Sequence, residues 1–361
     1  RGGLSYTYTY RDGRTETETV KSGDDVVLES ACLYGGGDLS EPIGTRYSYS
    51  GYTDDYTQDK DDFGRVNSET TPLGDVEFTY DGLGRITERE AYGRSETYRY
   101  LSNPSVSGYT TPLVNRITYA DNSQLRYSYD ANGNILRITD ESGREIVSYV
   151  YDEINRLKRE NIYGYKSVAY TYDVRGNITK KEEYAYTVGA LCESHKRKTY
   201  SYSYDGDRMV SFDGESCVYD ENGNPEIYRG EDFAWLNSGL LYRCHNKEFY
   251  YDATGRRVRK TIPGGHNPII YLYAGDKLIA EKENGAVTKR YFYDGMGIAG
   301  MEYGGNKYYF RKNLQGDVTE IYDESANQVG SYVYDAWGKI LSMQGEMAEI
   351  NPFRYRGYYY D

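Results

Sequence analysis

Side chains along this chain alternate in character with a period of two. Val147-Ser148-Tyr149-Val150-Tyr151, Val168-Ala169-Tyr170-Thr171-Tyr172 and Tyr200-Ser201-Tyr202-Ser203-Tyr204 are typical runs. Such alternation in β-branched and aromatic residues predicts strands. Many runs end on Tyr-Asp, with Gly three positions beyond the Asp and then Arg, Asn or Lys. The copies are Tyr80-Asp81-Gly82-Leu83-Gly84-Arg85-Ile86, Tyr129-Asp130-Ala131-Asn132-Gly133-Asn134-Ile135, Tyr172-Asp173-Val174-Arg175-Gly176-Asn177-Ile178, Tyr251-Asp252-Ala253-Thr254-Gly255-Arg256 and Tyr334-Asp335-Ala336-Trp337-Gly338-Lys339-Ile340. The Asp carboxylate can accept a backbone N–H two residues on, and the Gly supplies a positive φ. Each unit therefore predicts strand, tight turn, strand. Tyr is expected to pack across strands, Asp and Gly to make the turn, and Arg or Asn to begin the outgoing strand.

Departures keep the turn chemistry. After Tyr151-Asp152 the Gly position holds Asn155, which also tolerates the left-handed region, and Trp235-Leu236-Asn237-Ser238-Gly239 replaces Tyr-Asp but keeps the Gly. Second turns fall between the first kind, at Asp140-Glu141-Ser142-Gly143, Glu283-Asn284-Gly285 and Tyr303-Gly304-Gly305-Asn306. Asp130, Asp152 and Asp173 lie 22 and 21 residues apart, room for two strands and two turns per repeat. The prediction is an all-β chain: a long antiparallel ribbon of hairpins that must coil, because neighbouring strands rotate by roughly 20–25°. No segment predicts a helix. Residues 1–70 carry degenerate repeats with a Gly35-Gly36-Gly37-Asp38 break, 71–236 the regular array and 237–361 a distinct C-terminal set, all read as one continuous body.

Composition agrees with a wetted, repetitive structure. Among 361 residues there are 46 Tyr and 40 Gly but only 8 Phe and 2 Trp. A mean hydropathy of -0.82 argues for a thin structure with water on part of both faces rather than a thick apolar core. Disorder is excluded by the wealth of aromatic and β-branched residues. The net charge of -13 disfavours nucleic acid and anionic membranes as partners, and the run His195-Lys196-Arg197-Lys198 reads as a solvated loop. No apolar run is long enough for a membrane helix, so no membrane insertion is expected. The start at Arg1, without Met or an apolar leader, reads as that of an excised or processed segment.

Little else suggests chemistry. Gly295-Met296-Gly297-Ile298-Ala299-Gly300 fits a dinucleotide fingerprint in spelling, but Met301 to Phe310 reads as strand, turn and strand rather than helix. His195, His245 and His266 sit in unrelated segments, and Cys244-His245 is the one adjacent soft pair, too few ligands for a metal. Cys32, Cys192, Cys217 and Cys244 read as scattered thiols outside any disulfide framework. Asn177-Ile178-Thr179 matches a glycosylation sequon only because the repeat spells it. No catalytic residue, cofactor or metal is expected.

From about Asn237 the chain resembles the bacterial YD-repeat or Rhs (rearrangement hotspot) family. The resemblance rests on Tyr251-Asp252-Ala253-Thr254-Gly255-Arg256-Arg257-Val258-Arg259-Lys260, Tyr273-Ala274-Gly275-Asp276-Lys277-Leu278-Ile279-Ala280-Glu281 and Tyr308-Tyr309-Phe310-Arg311-Lys312-Asn313-Leu314-Gln315-Gly316-Asp317-Val318. The closing Asn351-Pro352-Phe353-Arg354-Tyr355-Arg356-Gly357-Tyr358-Tyr359-Tyr360-Asp361 resembles the opening of that family's core-associated motif, in a spelling similar to Gram-positive surface proteins. What the resemblance implies is a ribbon wound into a hollow shell around a C-terminal toxin domain, in a secreted or cell-surface bacterial protein. It also implies a self-cleavage segment beyond Asp361, so no cleavage role is carried to Arg354 or Arg356. The leading expectation is thus a non-catalytic shell segment with the toxin cargo as partner. The alternative is a carbohydrate-binding adhesin that stacks exposed Tyr on glycans.

Overall fold

The computed structural model describes residues 4–11, 13–22, 24–34, 42–103, 108–264 and 267–361. The Gly35–Asp38 break and His266 lie outside them. Regular structure among the described residues is almost entirely antiparallel strand.

The repeat hairpins share one register. The repeat tyrosine pairs with the residue six positions later, Tyr80 with Ile86, Tyr129 with Ile135, Tyr151 with Leu157 and Tyr172 with Ile178, and the ladder slips by one at that point. The extra residue lies on the outgoing strand, at Thr87 in the first hairpin and Leu136 in the second. A bulge of this kind bends the strand and increases its twist. The Tyr-Asp hairpins therefore repeat one bulge, whereas hairpins of the second kind, such as Ser68–Glu77 and Arg159–Ala169, pair without one.

The chain forms two compact units, each discontinuous in sequence: Arg1–Ser95 with Lys247–Val333 and Ser342–Asp361, and Glu96–Asn246 with Tyr334–Leu341. In the first, early strands face late ones. Val20, Leu28 and Tyr49 pack with Leu272, Ala274, Ile279 and Ala280, and Leu73 packs with Phe292 and Ala299. The low mean hydropathy predicts a thin, two-sided sheet. This unit instead buries a layer between facing strands, and polar residues help to fill it. Arg290 of strand Ala286–Asp294 donates to Tyr49 Oη (3.1 Å), Glu302 (2.8 Å) and Asp54, and Tyr49 donates to Asp54 at 2.5 Å. Buried charge is tolerated when it is paired and hydrogen-bonded, which is how so polar a sequence can have an inside.

In the second unit, buried Val147, Ile162, Val168 and Tyr170 line one side of the strands from Glu145 to Tyr172. Residues 334–341 return to those strands, with the Trp337 ring edge-on to Tyr170 at 6.1 Å.

Among the described residues three local features depart from a pure strand-and-turn reading, the first a 3-10 turn at Glu193–His195. A five-residue helix, Glu346–Ile350, and a 3-10 turn, Tyr355–Gly357, form near the C-terminus. Five residues are too few to register as helical periodicity. What admits the helix is Gly330, where a Cβ would lie 2.8 Å from Ala348 N. The Gly295–Gly300 run forms a turn and the start of strand Gly297–Tyr303, with no helix behind it. Its last glycine is steric: a Cβ on Gly300 would lie 2.2 Å from the Tyr308 carbonyl oxygen. Gly300→Ala should cost about 1–3 kcal/mol, read as a lower thermal midpoint in circular dichroism, with an unchanged midpoint contradicting the packing.

Candidate functional site

The repeated turn is the chemical unit of this molecule. In each copy one carboxylate oxygen of the Asp accepts two backbone N–H groups and the other accepts a side chain. Asp81 Oδ1 takes Leu83 N (2.9 Å) and Arg85 N (3.0 Å), while Oδ2 takes Arg85 Nε (2.8 Å). Asp130 and Asp173 do the same with Asn132, Asn134 and with Arg175, Asn177. Asp252 takes Thr254 N, Arg256 N and Arg256 Nε, and also Tyr6 Oη at 2.7 Å. Gly84, Gly133, Gly176, Gly255 and Gly338 have φ of 79°, 85°, 94°, 85° and 84°, and Asn155 has 65°. Arg85, Asn134, Asn177 and Arg256 are therefore part of the turn, through their side chains, and the outgoing strand begins one residue later, at Ile86, Ile135, Ile178 and Arg257.

These bonds set the electrostatics. The Arg85 side chain holds the Asp81 carboxyl below its usual range, and the Asn134 and Asn177 amides do so for Asp130 and Asp173. For Asp252 burial opposes ionisation, yet the Thr254 and Tyr6 hydroxyls and the turn N–H groups bring it down to about 2.

The tyrosine joins one turn to the next. Tyr80 donates its phenol to Val66 O (2.6 Å), Tyr129 to Val114 O (2.5 Å), Tyr151 to Ile135 O (3.1 Å), Tyr172 to Leu157 O (2.6 Å) and Tyr219 to Met209 O (2.7 Å). Trp235 fills the same role with its indole N–H, 2.7 Å from Pro225 O. The preceding turn's arginine lies on the ring: Arg65 over Tyr80 at 4.5 Å, Arg156 over Tyr172 at 4.7 Å. The sequence predicts ring-to-ring packing between successive repeat tyrosines. They are two strands apart, roughly 10 Å at ordinary strand spacing, beyond ring contact, and the guanidinium bridges that gap. Arg156 also donates to Asp173 O at 3.1 Å, and Asn132 and Asn134 each donate to Asn155 at 2.8 Å.

Two late turns use their Asp differently. Asp294 is buried against Arg89, whose charge holds its carboxyl low despite the burial that opposes it, and Gly295 N donates to Glu69 at 2.7 Å. Asp335 accepts Lys166 and Lys181, both at 3.3 Å, while Ala336 N donates to Glu160 at 2.8 Å. In both cases a strand face offers a cation to the turn carboxylate and a glutamate to the next N–H. Nothing in the spacing announces these partners, which lie 154 to 226 residues away in sequence.

The C-terminal motif is likewise engaged. Fully buried Glu281 accepts Tyr291 (2.8 Å), Tyr359 (2.6 Å) and Lys289 (3.2 Å). Arg257 and Lys260 hold the Asp361 side chain at 2.5 and 3.2 Å. Arg354 donates to the Asn351 and Glu349 carbonyls and lies over Tyr360, and Arg356 donates from its backbone to Asp317 at 2.9 Å. Among the described residues no cluster of three metal-ligating side chains forms, and the five predicted motifs divide between the units, Asp81 and Asp252 in the first and Asp130, Asp173 and Asp335 in the second. Each occupies a turn of its own, with turns of the same kind at Asp152 and Asp220 between them.

The family described as Teneurin YD-shell matches residues 54–207 and 147–361. Over 326 residues the chain is 27% identical to the tRNA3(Ser)-specific nuclease WapA of Bacillus spizizenii, covering 80% of this chain and 13% of that protein. Over 291 residues it is 23% identical to human Teneurin-4, covering 74% and 10%. The solved Photorhabdus luminescens Tc holotoxin pore matches with a TM-score of 0.64 at 13% identity, covering 99% of this chain and 24% of that one, a likeness of fold.

The turn geometry has two measurable outcomes. Tyr172→Phe removes one bond to Leu157 O and should cost about 1 kcal/mol, seen as a small shift in urea midpoint with the arginine stack retained. Asp252→Ala should cost about 2 kcal/mol at neutral pH. Because the folded carboxyl titrates at about 2 and its ordinary value is 3.8, its contribution is complete above pH 4 and lost as pH falls through 2. The gap in stability between wild type and Asp252→Ala should therefore close across that window in thermal melts, and a constant gap would contradict the assignment.

Proposed function

This chain belongs to the Teneurin YD-shell family, and on that premise we propose that it is a non-catalytic stretch of the wall of a shell. The shell encloses or displays a C-terminal toxin domain of a longer, secreted or surface-exposed bacterial protein. The carrying observation is that the repeated polar groups are consumed by the wall. The Asp carboxylates are filled by N–H groups and by Arg or Asn, and the Tyr hydroxyls by carbonyls of the neighbouring strand. A catalytic carboxylate must be free to exchange a proton with a substrate, and these are held ionised by their own turns.

The chain spans 13% of the nuclease relatives' length, so in this reading a nuclease-like or other toxic activity would lie in a different part of the parent. The facing layers of the first unit are more than a single-layered wall requires. In the same reading they are late strands of the ribbon folded over early ones, fixed by the Arg290–Asp54 and Arg89–Asp294 pairs.

The test uses the longer parent protein. Electron microscopy should resolve a closed wall with density inside, and limited proteolysis should spare the C-terminal domain until the wall is unfolded by denaturant. An open sheet, or a C-terminal domain digested as fast in the native protein as in denaturant, would exclude encapsulation. Hydrolytic activity that copurifies with residues 1–361 alone would exclude the non-catalytic assignment.

A further inference from the structure

The turn after strand Leu241–Cys244 passes through His245, held at φ 54°. This conformation returns the imidazole onto the preceding residue, placing His245 Nδ1 2.9 Å from Cys244 Sγ. Phe233 pairs with Cys244 across the neighbouring strand, which sets Glu231, at the start of strand Glu231–Trp235, beside the turn. Its carboxylate lies 2.8 Å from His245 Nε2. Thiol, imidazole and carboxylate thus stand in line at hydrogen-bonding distances.

We infer that Cys244 is an activated thiol, with His245 as its base and Glu231 as the group that orients the base, and that it exchanges with small disulfides. The carboxylate favours the tautomer with the proton on Nε2, leaving Nδ1 to accept from the thiol. A nucleophile, a base and an orienting acid within about 2.6–3.2 Å of each other is the arrangement by which proteins raise thiolate reactivity. The other thiols lie in different settings. Cys32 donates to the Thr15 carbonyl at 3.3 Å, Cys192 meets the Ser194 hydroxyl at 3.0 Å, and Cys217 is buried. Cys244 and both its partners are at least partly exposed, so a small molecule can reach the sulfur.

The step balances without a further reductant or oxidant. Cys244 passes its proton to His245, and the thiolate attacks one sulfur of the disulfide R–S–S–R. The Cys244–S bond forms as the S–S bond breaks, and the leaving thiolate takes the proton back from His245 to depart as RSH. The product is a mixed disulfide at the turn, a covalent mark that needs neither cargo nor closed shell and so stands independently of the wall reading.

The test treats residues 1–361 with an aromatic disulfide at neutral pH, follows the rate, and maps the labelled peptide by mass spectrometry. Cys244 should react about tenfold faster in the folded chain than in the urea-unfolded chain, where the triad is dispersed. His245→Asn should abolish that acceleration together with the ultraviolet thiolate absorbance, and Glu231→Gln should reduce both, with circular dichroism unchanged. If Cys244 reacts more slowly folded than unfolded, or if His245→Asn folds and keeps the acceleration, the inference is overturned. If a variant does not fold, the folded-to-unfolded comparison on the wild-type chain decides alone.

Discussion

The rest of the structure depends on the bidentate use of one carboxylate. A turn Asp that only accepted backbone N–H would close a hairpin and stop there. By also gripping the side chain four residues on, it holds Arg65, Asn134 and Arg156 where each meets the next repeat, at Tyr80, Asn155 and Tyr172. Arg156 is the fullest case: held by Asp152, it covers the Tyr172 ring and donates to Asp173 O, so one guanidinium joins two turns. Each such contact is modest, of order 0.5–1 kcal/mol for an exposed cation on a ring. Repetition gives the edge its strength, as nearest-neighbour terms add along an array.

The same chemistry recurs where the chain packs face to face, with the partners changed. Asp294 and Asp335 have no arginine four residues on, where Ile298 and Lys339 stand, and are met by Arg89, or by Lys166 and Lys181, from a strand face. The adjoining N–H then finds Glu69 or Glu160. Removing a single partner from such a set leaves a buried charge, which costs far more than the intact set contributes. These contacts therefore specify which turn sits where more than they stabilise it.

Strands, turns and the all-β class were legible because they are local. Period-two alternation and the Asp-to-Gly spacing need only a few consecutive residues, and Asn155 in place of Gly announces the left-handed position by its own chemistry. The arginine's double role was less visible, because Arg85 four residues from Asp81 reads equally well as the first residue of a strand. The seats for Asp294 and Asp335 were not legible at all. Arg89 lies 205 residues from Asp294, and no spacing rule couples positions that meet only through the fold. The short helix at Glu346–Ile350 was hidden for a different reason, since tertiary room at Gly330 admits it.

A chain organised this way has an unusual relation between repetition and chemistry. Reactive groups generally need surroundings that differ from their neighbours, because perturbed ionisation comes from a particular set of contacts. A repeat copies its contacts, so Asp81, Asp130 and Asp173 are all held low by the side chain four residues on. Distinct chemistry must then arise where the repeat is broken. Trp235 and Leu236 stand where the array would have Tyr-Asp, and the Leu236–Gly239 turn closes through backbone bonds alone, Gly239 N to Leu236 O at 2.8 Å. The next turn, His245-Asn246, puts the imidazole at its left-handed position. That interruption places a thiol, an imidazole and a carboxylate together, which regular copies of the motif could not do.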